Sequence, residues 1–114
     1  MGAARVPKRG DVVWLEFNPE AGSKQAGHRP ALVISPESYN RKVGLALVCP
    51  ITSRVKGYPF EVELPPGLET EGTILCDQIK SLDWRARFAD YAAPASPGTL
   101  RSVRRLLTTL LSLT

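Results

Sequence analysis

The residue types best suited to chemistry in this sequence lie in one polar loop and at the start of the apolar segment that follows it. The loop, residues 22–27, begins and ends with glycine and leads directly into His28 and Arg29. Its other polar side chains are Ser23, Lys24 and Gln25. Hydroxyl, amide and cationic side chains, together with backbone amides, are the groups that bind phosphate oxygens. The loop therefore predicts phosphate binding, with an ordinary polar hairpin as the alternative.

The glycine spacing of this loop is that of a nucleotide-binding P-loop, but the rest of that motif is missing. A P-loop continues with lysine and then serine or threonine, and it opens a helix. Here the second glycine is followed by histidine and arginine, and a strand-like segment comes next. The sequence therefore argues against nucleotide hydrolysis.

Four residues are the candidates for chemistry: Arg29, His28 and the adjacent pair Thr52 and Ser53. A guanidinium held at the start of a strand can bind a phosphate through two parallel hydrogen bonds, and a surface salt bridge is the alternative for Arg29. His28 is the only histidine in the chain. Its imidazole can act as an acid, a base or a stacking surface, or it can simply be solvated. Thr52 and Ser53 follow an apolar strand, where a hydroxyl is either aimed rigidly or caps a turn.

The remaining residues do not support a metal site or a hydrolase triad. One histidine and two distant cysteines, Cys49 and Cys76, cannot supply a zinc-binding spacing. The Gly-x-Ser-x-Gly motif of serine hydrolases is missing from the sequence. Both cysteines lie in apolar segments, so we expect buried free thiols in a reducing compartment, and no metal or other cofactor.

Apolar patterns predict five β-strands to position these residues. The predicted strands are residues 11–18, 29–35, 45–52, 60–64 and 72–82. The third is apolar on both faces, as expected for a central strand. The fifth changes the phase of its apolar residues, which suggests a bulge. Residues 37–44 predict a turn.

The C-terminal segment predicts an amphipathic helix. Ser96 is a favoured N-cap residue and Pro97 suits the first helical position. Leucines then recur at helical spacing, and we expect them to cover the sheet rather than bind a partner. Together these elements predict a mainly β protein with helices (an α+β fold). We expect a bent, partly open antiparallel barrel of about five strands, in a single domain over residues 1–114.

Charge is uneven along the chain and permits a polyanionic partner. The 114 residues include 15 Lys and Arg against 11 Asp and Glu, for a net charge of +4. Residues 61–84 are acidic and the segments on either side are basic, which allows either one basic face or a mixed solvated surface. Trp14 and Trp84 could stack nucleobases if exposed, although core packing is expected for Trp14.

Four segments, in this order, resemble the MazF/PemK toxin family. They are Gly10 to Trp14, Gly22 and Ser23 with Gln25 to Ser35, Lys56 to Val62, and Asp77 to Arg87. The resemblance covers nearly the whole chain, and four agreeing segments are far more specific than any one of them. It implies an SH3-like barrel and a toxin of a prokaryotic type II toxin–antitoxin pair. Such toxins are homodimers, inhibited by a MazE-type antitoxin that occupies the RNA-binding surface.

The same resemblance implies an activity and the residues that carry it. Family members are sequence-specific, metal-independent endoribonucleases that cleave single-stranded mRNA, and their catalytic pair falls on Arg29 and Thr52. RNA contacts are expected for Ser23, Lys24, Gln25, His28, Ser53, Lys56, Gln78 and Lys80. Lys24 stands where close relatives carry glutamate, so a carboxylate that could orient Arg29 is missing.

The implied reaction is attack of the ribose 2′-hydroxyl on the adjacent phosphorus, which leaves a 2′,3′-cyclic phosphate and a 5′-hydroxyl. The proton acceptor is open between Arg29 and His28. A noncatalytic RNA-binding barrel and a gyrase-poisoning toxin of related fold are the alternative functions. The homodimer contact is expected to include Ile51, Leu82 and Trp84.

The expected location is the prokaryotic cytoplasm, without a membrane partner. The first residues lack the apolar region of a secretory signal. No apolar run approaches the roughly 18 residues of a membrane span.

Overall fold

The computed structural model describes residues 5–17, 28–54, 57–65 and 72–112. These residues form seven β-strands and two α-helices. In chain order the elements are β1 (Asp11–Glu16), β2 (His28–Val33), α1 (Glu37–Val43), β3 (Leu45–Thr52), β4 (Glu61–Glu63), β5 (Thr73–Leu75), β6 (Lys80–Asp83), β7 (Asp90–Pro94) and α2 (Pro97–Leu111). Within this part of the chain, no helix is both long and apolar enough to cross a bilayer.

The strands form one antiparallel sheet with β3 at its centre. The order is β4-β5-β3-β2-β1-β7, and β6 pairs with β3 beside this path. One edge of β3 pairs with β2, whereas its other edge pairs first with β6 and then, at its end, with β5. The predicted mainly β fold with a C-terminal helix is confirmed, as is the central position of the third strand.

The number of strands differs from the prediction. Residues 72–82, expected as one strand with a bulge, form β5 and β6, which a turn at Cys76 and Asp77 separates. The phase change in the pattern therefore marks a turn that sends the chain to a different part of β3. The edge strand β7 was not predicted, because its sequence Asp-Tyr-Ala-Ala-Pro has no strong apolar alternation.

The segment 37–44, where the sequence predicted a turn, contains the helix α1 over Glu37–Val43. Pro36 stands at the N-cap of α1, and Gly44 ends the helix with a φ of +81°. A left-handed residue is the common way to end a helix, and glycine adopts that conformation without a steric penalty. The seven residues of α1 are too few for a clear apolar period, which explains why the pattern predicted a turn.

Both faces of the sheet are covered by apolar residues. On one face, Val12, Leu32, Cys49 and Ile74 pack with Val103 of α2. The opposite face buries a second cluster that contains Val13, Leu15, Ala31, Val48 and Trp84. The helix α2 therefore covers the sheet as predicted. Its N-cap is also as predicted, since the Ser96 hydroxyl accepts a hydrogen bond from the Thr99 amide at 3.1 Å.

The residues expected to form the dimer contact are buried within the protomer. Ile51, Leu82 and Trp84 are only 5, 9 and 1 % exposed. They fill the two clusters inside the chain, so the prediction that they present an apolar surface to a second copy is wrong. Trp84 cannot stack a nucleobase for the same reason.

Cys49 and Cys76 are buried free thiols, as expected. Burial raises the pKa of Cys49 to about 12 and that of Cys76 to about 11. Both therefore stay protonated at neutral pH and pack as small apolar side chains.

Asn40 of α1 joins four parts of the fold through buried hydrogen bonds. Its side-chain amide donates to the carbonyls of Pro7 and Ser35, at 2.8 and 3.1 Å. The Ser35 hydroxyl donates to the amide oxygen of Asn40 at 2.6 Å. The Asn40 main-chain carbonyl accepts the indole N–H of Trp84 at 2.9 Å. This network ties α1 to the N-terminal segment and to the turn after β6.

We expect Asn40→Ala to lower the free energy of unfolding by about 2–4 kcal/mol. The substitution leaves buried carbonyl and hydroxyl groups unpaired, and each such group costs about 1–3 kcal/mol. Urea unfolding followed by tryptophan fluorescence measures the change. Ser38→Ala is the control, because Ser38 is an exposed residue of the same helix and its loss should cost less than about 0.5 kcal/mol. Equal stability of Asn40→Ala and Ser38→Ala would show that the network contributes nothing.

Candidate active site

The site begins where β2 and β3 separate. Their antiparallel ladder joins only Ala31–Val33 to Val48–Pro50. Ile34 donates its amide hydrogen to the Leu47 carbonyl of β3, so every second residue of β2 faces β3 and Pro30 is one of them. Proline has no amide hydrogen, so Pro30 lacks the donor that would continue the ladder. The two strands therefore diverge at this point and leave a cleft between their ends.

The register of the ladder explains why Arg29 and Thr52 meet in this cleft. Ala31 and Pro50 are directly opposite each other. Two residues further along each strand, on the same face of the sheet, stand Arg29 and Thr52. Both line the cleft, so the structure brings together the two residues to which the sequence resemblance assigns catalysis.

The cleft has a volume of about 570 Å³. Its lining residues are Trp14, His28, Arg29, Pro30, Ile51, Thr52, Ser53 and Arg54. Arg29 and Arg54 are its permanently charged members, and both are cations. A cleft with two guanidinium groups and two hydroxyl groups is suited to a phosphate diester.

Thr52 is held in place by its neighbours. Thr52 pairs with Thr73 of β5. Gly72, which precedes Thr73, comes very close to the main chain of Thr52. A Cβ atom on Gly72 would lie 2.4 Å from the Thr52 carbonyl oxygen, so only glycine fits there without moving Thr52. The Thr52 hydroxyl accepts a hydrogen bond from the Arg54 amide at 3.2 Å. Its own hydrogen is not used in that bond and can be donated to a ligand.

Trp14 forms part of the cleft wall, contrary to the expectation of core packing. Its indole lies parallel to the imidazole of His28, with ring centroids 5.1 Å apart and an angle of 8° between the planes. Val12, on the same face of β1, is covered by the core cluster that contains Val103 of α2. Trp14 lies two residues beyond it, where the sheet borders the cleft.

Two residues next to the cleft, Glu16 and Arg87, were not predicted from the sequence. Glu16 pairs with His28 across β1 and β2, and its Oε2 lies 3.6 Å from Nδ1 of His28. The Arg87 guanidinium donates to the main-chain carbonyls of Glu16 and Phe17, at 3.2 and 2.8 Å. It therefore holds the end of β1. A glutamate inside an apolar strand and an arginine in the last motif segment were the available signals.

Of the other residues predicted to contact RNA, only some line the cleft. Ser53 and His28 line the cleft. Ser23, Lys24, Gln25 and Lys56 lie outside the described residues. Gln78 and Lys80 are exposed but do not line the cleft, because β6 pairs with the opposite edge of β3 at Val48.

Two further observations concern ligands. Among the residues the structure describes, no group of three or more histidine, cysteine or acidic side chains is placed to hold a metal ion. A second, smaller cavity of about 270 Å³ lies between α2 and the end of β2. It is lined by Arg9, Ile34, Leu100, Val103, Arg104, Leu107 and Thr108.

The chain matches known proteins over nearly its whole length. The family model described as PemK-like, MazF-like toxin of type II toxin–antitoxin system matches residues 8–111. The endoribonuclease toxin MazF of Escherichia coli K12 is 47 % identical over 106 residues, which cover 93 % of this chain and 95 % of the relative. The endoribonuclease EndoA of Bacillus subtilis is 37 % identical and covers 68 % of this chain and 72 % of its own.

Solved structures agree with these sequence matches. A crystal structure of MazF from Deinococcus radiodurans is 51 % identical, with a TM-score of 0.85, and covers 96 % of this chain and 99 % of that one. A MazE–MazF structure from the same organism superimposes with a TM-score of 0.87 at 47 % identity, over 97 % of this chain and 100 % of that chain. Because the family model matches residues 8–111 and a MazF relative is 47 % identical over 93 % of the chain, the chain belongs to the PemK-like, MazF-like toxin family of type II toxin–antitoxin systems.

Proposed function

We propose that this protein is an endoribonuclease toxin that cuts single-stranded mRNA in a sequence-specific, metal-independent reaction. Its named relatives MazF and EndoA are endoribonucleases. The observation that carries the proposal is the meeting of Arg29 and Thr52 at the point where β2 and β3 diverge. We place its action in the prokaryotic cytoplasm, and we take residues 1–114 as one toxin domain.

Arg29 and Thr52 are the proposed catalytic residues, and both act on the phosphoryl group. When the ribose 2′-hydroxyl attacks phosphorus, negative charge grows on the non-bridging oxygens. The Arg29 guanidinium can bind two of these oxygens, and the Thr52 hydroxyl can donate to one. Both interactions become stronger in the transition state than in the substrate, which is the condition for a rate gain.

The products follow from this geometry of attack. The O2′–P bond forms and the P–O5′ bond breaks, leaving a 2′,3′-cyclic phosphate and a 5′-hydroxyl. The residue that takes the 2′-hydroxyl proton is Arg29 or His28. A guanidinium rarely loses a proton in a protein, so Arg29 is better suited to electrostatic stabilisation.

RNA binding is proposed to extend beyond the reacting phosphate. The parallel Trp14 and His28 rings form an aromatic wall beside the cleft, on which an unpaired base can stack. Ser53 and Arg54 lie at the other side and can contact neighbouring phosphates. Ser23, Lys24, Gln25, Lys56, Gln78 and Lys80 remain proposed contacts for the rest of the strand.

The proposed protein partners are an acidic MazE-type antitoxin and a second copy of the toxin. The Deinococcus radiodurans structures include MazE bound to MazF. The lining of the cleft carries two arginines, so an acidic segment can neutralise the same surface that binds RNA.

We expect Arg29→Ala to reduce RNA cleavage by about 10²–10⁴-fold and Thr52→Val by about 10–10³-fold, because each removes a donor to the developing charge. The experiment incubates a mixed-sequence RNA transcript with the protein in EDTA and maps the fragment ends. A short RNA around the mapped site then gives single-turnover rates. Both variants should keep the wild-type melting temperature within a few degrees, because neither residue belongs to a core cluster.

Arg101→Ala and Thr109→Val are the matched controls. Both residues are exposed on α2 and away from the cleft, so their rates should equal that of the wild type. Wild-type cleavage only after addition of Mg²⁺, or an Arg29→Ala rate equal to the wild-type rate, would overturn the mechanism. RNA binding without any cleavage would favour the noncatalytic RNA-binding barrel.

The antitoxin and RNA are expected to compete for the cleft. The experiment uses the Thr52→Val protein, which cleaves slowly but keeps both arginines of the cleft. The acidic antitoxin, whose reading frame adjoins the toxin gene, should displace labelled RNA from this variant. Fluorescence anisotropy measures the displacement, and raising the salt concentration should weaken RNA binding more than antitoxin binding. A ternary complex of toxin, antitoxin and RNA on a native gel would contradict a shared surface.

We also expect a homodimer. Multi-angle light scattering at micromolar concentration should give twice the protomer mass of 12.4 kDa. The contact must use residues other than Ile51, Leu82 and Trp84, since these are buried within the protomer. Detection of monomer alone at this concentration would exclude the proposed assembly.

A further inference from the structure

The feature that the proposed chemistry leaves unexplained is the buried side chain of Glu16. The residue is 2 % exposed. Among the residues the structure describes, neither of its carboxylate oxygens has a hydrogen-bond partner. Burying an ionised carboxylate without a partner is costly, so such a group is expected where it serves a neighbouring side chain.

His28 is that neighbour. The strand register places the two residues opposite each other, and Nδ1 of His28 lies 3.6 Å from Oε2 of Glu16. This distance is slightly too long for a hydrogen bond. Catalytic hydrogen bonds are often long in the free enzyme and shorten in the substrate complex.

The imidazole is also constrained on its face and open at its edge. Its face lies parallel to the Trp14 indole at 5.1 Å, which limits rotation of the ring. The side chain is 38 % exposed and belongs to the lining of the cleft. With Nδ1 directed at Glu16, the opposite edge of the ring, which carries Nε2, is the part that can reach a ligand in the cleft.

We propose that Glu16 is a positioning residue that holds His28 with its proton on Nδ1, so that Nε2 accepts the proton of the RNA 2′-hydroxyl. The inference deepens the proposed endoribonuclease function and rests on it. In the step, the 2′-hydroxyl proton passes to Nε2, the O2′–P bond forms, the P–O5′ bond breaks, and the 5′ oxygen takes a proton from water. The resulting imidazolium returns its proton to solvent. The same division of roles operates in hydrolases that orient a histidine base with a buried carboxylate.

The charges around His28 define what Glu16 contributes. Arg29 follows it on β2, Arg54 lies across the cleft after β3, and Arg87 holds the main chain at the end of β1. In the described part of the chain, Glu16 is the acidic residue that faces the ring, so its carboxylate is the group that can accept a hydrogen bond from a proton on Nδ1.

The first test is the rate of single-turnover cleavage in EDTA at neutral pH for the wild type, Glu16→Gln and His28→Ala. Glu16→Gln should slow cleavage by about 10-fold or more, and His28→Ala by about 10²-fold or more. The double variant should be no slower than His28→Ala alone, because Glu16 acts through His28.

Two variants separate the carboxylate from the general effect of substitution. Glu16→Asp keeps the carboxylate and should restore most of the rate that Glu16→Gln loses. Glu63→Gln makes the same chemical change on the exposed surface of β4 and should leave the rate unchanged. A Glu16→Gln rate equal to that of the wild type would overturn the inference while leaving the endoribonuclease function in place.

The second test does not depend on activity or on the folding of a variant. Because the chain has one histidine, the imidazole signals in a ¹⁵N–¹H long-range correlation spectrum of untagged wild-type protein belong to His28 alone. We expect the neutral ring to carry its proton on Nδ1. A neutral ring protonated on Nε2 would overturn the inference. The expected spectrum without RNA cleavage by any protein would instead retain the Glu16–His28 pair and reject the proposed function.

Discussion

The structure of the site depends on the end of the β2–β3 ladder. A strand pair continues as long as the residues that face the partner strand supply their amide hydrogens, and this ladder stops where Pro30, which has none, faces β3. Up to that point the two strands form the centre of a sheet with apolar residues on both faces. Beyond it they separate, and the polar side chains that follow on each strand enclose a cleft instead of a core.

This arrangement explains how a small protein keeps reactive groups rigid without building them into its interior. The core residues of these two strands, such as Leu32 and Val48, lie before the divergence and are almost completely buried. Arg29 and Thr52 lie one step beyond it, so they inherit the fixed geometry of the strands but remain accessible. Gly72 adds to this rigidity, because its lack of a side chain lets β5 pack directly against the main chain of Thr52.

The electrostatics of the cleft combine exposed cations with one buried anion. Arg29 and Arg54 provide a field suited to phosphate, and both are exposed, so their charges stay hydrated. Glu16 is different, because it sits 2 % exposed behind His28 and has lost its own hydration. Its position is set by Arg87, which is more than 70 residues away in sequence and holds the main chain of Glu16 and Phe17. A distant part of the chain thus determines the surroundings of the only histidine.

The sequence by itself determined the features that depend on local patterns. The span of β3, the start of α2 at Ser96 and Pro97, the antiparallel α+β fold and the placement of Arg29 and Thr52 at strand ends all follow from apolar period, proline and capping preferences. The family resemblance followed from four short segments for the same reason, since each is a continuous run of residues.

Only the tertiary structure decided the features that depend on which strand lies beside which. The division of residues 72–82 into β5 and β6 depends on two different partners along β3, and a linear pattern carries no record of partners. Burial of Ile51, Leu82 and Trp84 depends on cover from distant segments. The stacking of Trp14 on His28 and the approach of Glu16 to the same ring require the β1–β2 register, because 12 residues separate Glu16 from His28 along the chain. Register is a property of two segments together, and for this reason neither segment alone predicts it.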